Sequence, residues 1–387
     1  MINHRNTSAG ALALAGMIAA ATGVHAQGAW SSRVEGNGIA EPAPPPGVVL
    51  TPRPGARPRQ TLPQGIAPPP KLAPLSPRTE PQGTPLKPGQ QLPASPRTAS
   101  TLGGSDPAYV AFDNAHFLTA LKLAEEAANK GAPESHTLIA RIHSEGHGVR
   151  RDPALGAKWY QRAMELGDPE GAFALALMHI EGRGVAKDMP AAAALIERAA
   201  AKGHVWANYN LGLMFLSGRG KPENPVRGAQ HIAYAAEKGV PAAQYDMATL
   251  YVNGHGVPAD GYMASRWLKR AAEQGMAEAQ FDYAVMLLRG QGLNEDRADA
   301  LRFLRQAAEN GLAAAQNRLS HAILEGIGGA RNQREAAKWR ILARDQGLPD
   351  PVLDGKLKSL SNADRTAAEL LASQWQERAI VGAGQIE

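Results

Sequence analysis

Residues 254–275 read "GHGVPADGYMASRWLKRAAEQG", and both ends of this stretch return at a fixed interval. Gly275 belongs to a series at 131, 167, 203, 239, 275, 311 and 347, each glycine 36 residues after the last. The opening Gly-x-Gly returns in the same period, as "GHGVRRD", "GRGVAKD", "GRGKPEN", "GHGVPAD", "GQGLNED" and "GIGGARN". Six returns without an insertion define a repeat array, whose units bury a continuous core only by stacking on one another.

Each unit reads as two helices. The first is exemplified by "AQYDMATLYVN" (243–253), largely apolar through Tyr245, Met247, Ala248, Leu250 and Tyr251. The first glycine of the Gly-x-Gly takes the left-handed conformation that closes it. Asp152, Asp188, Asn224, Asp260, Asp296 and Asn332 share one slot. Asp and Asn are preferred helix N-caps worth about 1 kcal/mol each, and Pro153 and Pro225 follow at the first helical position. Asp296 with Asp299, and Asn332 with Glu335, resemble capping boxes. The second helix pairs a small residue (Gly156, Ala192, Gly228, Ala264, Ala300, Ala336) with a large one three residues on (Trp159, Leu195, His231, Trp267, Phe303, Trp339). Small residues let helices approach and the large one fills the space between them, so the tryptophans read as core.

These residues resemble the Sel1-like repeat, a relative of the tetratricopeptide repeat. The resemblance rests on the pattern A-x-x-x-L-G-x-x-Y-x-x-G-x-G-V-x-x-D followed by K-A-x-x-W-Y-x-x-A-A-E-x-G. "ANYNLGLMFLSGRG" (207–220) and "SRWLKRAAEQG" (265–275) follow it closely. Residues 135–347 hold six units, and "FLTALKLAEEAANKG" (117–131) reads as the second helix of a partial first one. Departures are local: Lys221 and Gly329 replace the usual valine, and Arg340 replaces the usual aromatic, as in a degraded end unit. The resemblance implies an all-α, right-handed α-solenoid with the first helices lining a concave face. It implies scaffolds or regulators that bind proteins or peptides, several in the bacterial envelope. Some cysteine-rich secreted relatives have been linked to β-lactams, but this chain has no cysteine, which removes the basis for that activity along with disulfides and thiolate metal sites.

The flanks set the context. "MINHRN", the apolar "ALALAGMIAAATGV" and "VHA" before Gln27 form a secretory signal over residues 1–26, cleaved after Ala26. The apolar run is too short to span a membrane, and no later segment approaches that length. Residues 27–105 read as a disordered linker, with eighteen of the 29 prolines between Pro42 and Pro96. Residues 41–99 hold seven basic side chains against two acidic ones, so the overall +5 belongs to this segment and the array is close to neutral. A nucleic-acid footprint on the array is therefore not expected. The array runs over 106–347, and residues 348–387 supply a capping helix and tail. In that helix Ser361 and Asp364 form a capping box, and Ala368, Leu371 and Trp375 lie on one face.

Candidate chemistry is sparse. His143, Glu145, His147 and Asp152 cluster around the first Gly-x-Gly, but the slot of His147 holds His, Arg, Arg, His, Gln and Ile in successive units. There is no H-E-x-x-H zinc motif, no phosphate loop with Lys-Ser/Thr, and no G-x-S-x-G elbow. The expectation is a non-enzymatic protein without catalytic residue, cofactor or metal. Binding has a spatial argument. The slot seven residues after each unit glycine holds Leu138, Ala174, Asn210, Asp246, Asp282 and Arg318, with Gln244 and Gln280 nearby. On a concave face, Asn210, Gln244, Asp246, Gln280, Asp282 and Arg318 form a polar, mildly acidic groove for a protein or peptide. The other reading is a solvated face. Tyr209 and Tyr245 read as packing between repeats. The chain is thus expected to be an exported, periplasmic or secreted, scaffold for an envelope partner. The alternatives are a cell-wall-directed hydrolase or β-lactam-binding protein, and a structural envelope protein whose basic linker touches anionic cell-wall polymer.

Overall fold

A computed structural model describes residues 106–384; the expected signal peptide and proline-rich linker lie outside the described residues. Among these residues there are sixteen helices and no strand. Helices α1 (Pro107–Asp113) and α2 (Phe117–Ala128) come first. Six pairs follow: α3 (Pro133–Glu145) with α4 (Pro153–Glu165), α5 (Pro169–Glu181) with α6 (Met189–Ala201), and α7 (Val205–Ser217) with α8 (Pro225–Glu237). The others are α9 (Pro241–Asn253) with α10 (Gly261–Glu273), α11 (Ala277–Arg289) with α12 (Arg297–Glu309), and α13 (Ala313–Glu325) with α14 (Gln333–Asp345). Helices α15 (Pro351–Leu357) and α16 (Asn362–Gly384) close the chain. Every odd-numbered helix from α3 to α13 packs on its own partner and on the preceding even-numbered helix, which makes the array an α-solenoid. The α1–α2 pair stacks on α3 in the same manner as a partial repeat, and α1 is an element not foreseen from the sequence.

Local chemistry explains why every paired helix is thirteen residues long. The capping slot works in all six units: Asp152, Asp188, Asn224, Asp260, Asp296 and Asn332 each accept from the amide three residues on, at 2.9–3.0 Å. The acids at the third position do not complete a capping box. The Asp299 and Glu335 carboxylates instead accept from Arg302 and Arg305. At the other end, the first glycine of each Gly-x-Gly is left-handed, for example Gly254 at φ 67° and Gly290 at φ 62°.

The second glycine of the turn does something different. It too is left-handed (Gly256 φ 76°, Gly292 φ 73°), and at Gly184, Gly256, Gly292 and Gly328 it lies against the backbone of the preceding repeat. A Cβ on Gly256 would land on the Pro225 carbonyl, one on Gly292 on the Gly261 carbonyl, and one on Gly328 on the Arg297 carbonyl. Those carbonyls belong to the first residues of α8, α10 and α12. The second glycine is therefore a seam between repeats rather than a helix stop.

The last repeat carries an informative substitution. Tyr160, Ile196, Ile232, Leu268 and Leu304 occupy a core slot that Arg340 fills in α14. Arg340 is 3% exposed and grips Asp354 of α15 with two bonds (Nε–Oδ1 2.6 Å, Nη2–Oδ2 3.0 Å) while donating to Asn317 and the Leu348 carbonyl. Asp350 accepts from Asn317, His321 and the Leu353 amide; burial opposes its ionisation, but these donors outweigh it and hold the carboxyl below its ordinary range. Arg340 is thus a latch for the closing helices and not a sign of a decayed unit. Helix α16 then packs on α14 as a further first helix would. Its Ser361–Asp364 cap forms, and Ala368 and Ala372 are buried. Trp375 meets Trp339 edge-on at 6.2 Å. Leu371 is exposed, because Ala372 and not Leu371 shares the face of Ala368 and Trp375.

The two classes of glycine are separable by substitution. Gly275→Ala meets open space and bears only left-handed strain, about 1–2 kcal/mol. Gly292→Ala bears the same strain and also drives a Cβ into the neighbouring backbone, a further ~1–3 kcal/mol. Urea unfolding of the two variants should therefore rank Gly292→Ala as clearly the less stable.

Candidate partner-binding face

The odd-numbered helices present one face away from both even-numbered neighbours. In α7 this face carries Trp206, Leu213 and Ser217, with Asn210 buried beneath it, and the equivalent slots at multiples of 36 residues place Glu170 and Leu177 on α5, Asp246 and Thr249 on α9, and Glu278 and Val285 on α11. Trp206 is half-buried and stands edge-on to Tyr209 with ring centroids 6.0 Å apart.

The residues singled out from the sequence divide into three groups. Asp246 and Asp282 are joined to the preceding repeat: the Tyr209 hydroxyl donates to Asp246 and the Tyr245 hydroxyl to Asp282, each at 2.7 Å. Burial, then the charge of Asp282, pushes the Tyr245 phenol well above its ordinary range, so it stays a donor. Asp246 remains partly open while Asp282 is 3% exposed. These bonds put Tyr209 and Tyr245 between repeats.

Gln244 and Gln280 lie inside the array instead. Their amide nitrogens donate to the carbonyls of Ala236 and Ala272, the last turns of α8 and α10, both at 3.1 Å. Their oxygens accept from Gln274 and Asn310, the residues that follow directly on α10 and α12. Gln316 does the same with Ala308 and Gln346, and Asn208 with Ala200 and His231. One side chain thus caps the helix behind and receives a bond from the helix ahead. The signal was legible, since Asn208, Gln244, Gln280 and Gln316 share one slot in four successive units.

Asn210 and Arg318 form the third group. Arg318 is exposed. Asn210 is 2% exposed; its amide donates to the Trp206 carbonyl at 2.8 Å, and its Oδ1 is buried without a partner. Trp206, Glu170 and Glu278, one turn before the slot of Asn210, were not read from the sequence, although a spacing of four places them on the same face.

The cluster around the first turn is absorbed by packing. His147 bonds Glu145 at 2.7 Å and stacks on Phe117 of α2 at 4.7 Å. Burial opposes the charge of Glu145, yet the bond from His147 and the nearby Arg141 hold its carboxyl below the ordinary value. Among the described residues no group of three or more His, Cys, Asp or Glu is arranged to hold a metal. No described helix is long and apolar enough to cross a membrane.

With this geometry in place, the family can be stated: the chain belongs to the Sel1 repeat family. The family model for the Sel1 repeat matches residues 133–168, 169–204, 207–240, 241–276, 277–312 and 313–348, more than half the chain. Among solved structures, a Sel1 repeat protein from Oxalobacter formigenes is similar at 27% identity and TM-score 0.53, covering 62% of this chain and 97% of that one. A second similar structure is c5321, described as a protective antigen of uropathogenic Escherichia coli strains with an SLR fold. It shows 27% identity and TM-score 0.47, over 67% of this chain, which spans 64% of that chain's length. No curated protein matches the sequence. Sel1 repeat proteins generally mediate protein–protein interaction.

A structural and a surface role predict different phenotypes. Gln280→Leu removes one bond from the Ala272 carbonyl and one from the Asn310 amide, each of which keeps a bond to Gly275, a loss of about 1–3 kcal/mol of stability for the two. Arg318→Ala should stay within about 0.5 kcal/mol of the parent. Denaturant titration of both variants checks this contrast.

Proposed function

We propose that this chain is an exported, non-catalytic scaffold that holds a protein or peptide partner on the exposed face of its odd-numbered helices. The observation that carries the reading is the face itself. Across α5, α7, α9 and α11 it combines a half-buried tryptophan and partly open Leu177, Leu213 and Val285 with the carboxylates of Glu170, Asp246 and Glu278. An aromatic anchor beside partly open apolar groups and flanking charge is the composition of a recognition surface. The buried members of the candidate set act behind it: Gln244, Gln280 and Asp282 hold the spacing of the helices that present it.

Export is supported by the basic, apolar and small-residue segments of residues 1–26, the pattern of a secretory signal cleaved before Gln27. The envelope is accordingly where the partner is sought.

The test is capture of partners from an envelope fraction with the tagged full-length chain, alongside an Asp246→Lys, Glu278→Lys variant of matched stability. The mature chain recovered from that fraction should begin at Gln27. A specific partner should be depleted at least tenfold by the double variant. Equal recovery by both forms, or turnover of peptidoglycan fragments by the purified chain, would count against the proposal.

A further inference from the structure

Asn210 is the exception in its slot. On α9 and α11 the slot holds Asp246 and Asp282, each of which accepts a tyrosine hydroxyl from the preceding repeat. The residue equivalent to those tyrosines one repeat before Asn210 is Phe173, which has no hydroxyl to give. The Asn210 amide nitrogen donates to the Trp206 carbonyl of its own helix at 2.8 Å, which turns the oxygen of the planar amide away from that bond. That Oδ1 is buried and meets no donor among the described residues. Burying an acceptor unsatisfied costs stability. The fold does not require it here, since Ala174 and Leu138 fill the same slot on α5 and α3. An acceptor that the array neither needs nor satisfies points to a donor from outside.

The surroundings give the chemistry of the molecule that carries this donor. Helices α5, α7 and α9 hold the carboxylates of Glu170, Glu181 and Asp246 and no lysine or arginine. Glu278 on α11 adds a fourth, in the slot of Trp206 two repeats on. The His204 Nδ1 accepts from the Ala207 amide, so its ring is neutral and its Nε2 donates to Glu170. The Tyr209 hydroxyl donates to Asp246. Both are neutral donors, and these bonds leave the carboxylates charged. Between Glu170 and Asp246 stands Trp206, half-buried, with Leu213 partly open beside it.

We infer that this part of the odd-numbered face binds an extended, basic segment of a separate protein. The inference rests on the reading of that face as the binding surface. An apolar side chain of the segment lies on Trp206, lysine or arginine side chains to either side meet Glu170 and Asp246, and a backbone N–H donates to the Asn210 Oδ1. An extended segment fits because its main-chain N–H groups are not spent on a helix of its own. The aromatic anchor supplies affinity, while the carboxylates select for cationic segments and repel acidic ones. Because the Oδ1 is buried in the unbound chain, the Trp206 ring, one turn earlier on the same face, swings aside to admit the donor. Side-chain adjustments of this kind are common on binding.

A random peptide library displayed on phage, selected on the full-length chain and counter-selected on its Trp206→Ala variant, reads this chemistry without a charge bias. Surviving peptides should carry an excess of lysine and arginine around an aromatic or aliphatic residue. A labelled survivor should bind the Asp246→Lys, Glu278→Lys variant about tenfold or more weakly, and bind the parent more weakly as salt rises. Asn210→Leu and Asn210→Ala then separate a binding role from a structural one, in a slot that accepts both side chains elsewhere in the array. Both should bind the labelled peptide about three- to tenfold more weakly, as one lost hydrogen bond implies. Asn210→Leu should unfold at an equal or higher urea concentration than the parent, since it removes an unsatisfied acceptor. Survivors that are acidic or without charge bias, no survivor at all, or undiminished affinity in both Asn210 variants would overturn the inference. If an envelope partner is meanwhile still lost on Asp246→Lys, Glu278→Lys, the face keeps its function and only the chemistry assigned to its partner is wrong.

Discussion

Contact between one repeat's turn and the backbone of the repeat before it constrains everything else in this fold. In four of the six turns (Gly184, Gly256, Gly292 and Gly328) the second glycine has no room for a side chain, because the first carbonyls of the preceding even-numbered helix occupy the place a Cβ would take. That contact fixes how closely the units stack, and close stacking brings the other inter-repeat devices within reach. Tyrosine hydroxyls meet carboxylates one repeat on, and a glutamine spans from the end of one helix to the side chain of another. None of these bonds forms if the units stand even an ångström further apart, since hydrogen bonds weaken steeply beyond their optimal length.

Such a design separates framework from function. Small buried residues, caps and glutamine bridges hold the helices, so the exposed slots of the odd-numbered helices vary without cost to the fold. Trp206, Leu213, Asp246 and Arg318 occupy equivalent or neighbouring slots and share no chemistry. Stability in such an array is a sum of repeats and nearest-neighbour interfaces, and its ends need covering. Helix α2 with α1 serves one end. At the other, Arg340 turns an aliphatic slot into an anchor for α15, and α16 takes the place of the next helix.

The fold was legible because punctuation is periodic: left-handed glycines and Asp/Asn caps recur every 36 residues whatever lies between them. Helix α1 escaped notice because seven residues carry no repeat signature. The candidate face was legible only in outline. Odd-numbered helices are packed on two sides, so apolar residues surround most of their circumference and a polar residue no longer marks the exposed stripe. Gln244 and Gln280 were therefore grouped with Asp246, although they point into the array. Arg340 read as decay for a related reason, since the carboxylate that justifies its burial comes from outside the repeat.

If neighbours alone hold each repeat, one unit can be removed in phase. Deleting residues 241–276 brings Asp282 to Tyr209, Gln280 to the Ala236 carbonyl and Gly292 to Pro225, and so rebuilds each contact of the lost unit with its equivalent. Circular dichroism with urea unfolding of this shortened chain is the most direct measurement. A neighbour-coupled array predicts the same helical signal per residue of the array, a cooperative transition, and a stability and urea slope lowered by the share of one repeat. A shortened chain that loses its helical signal or its cooperativity would contradict that picture and show that the repeats depend on contacts beyond their neighbours.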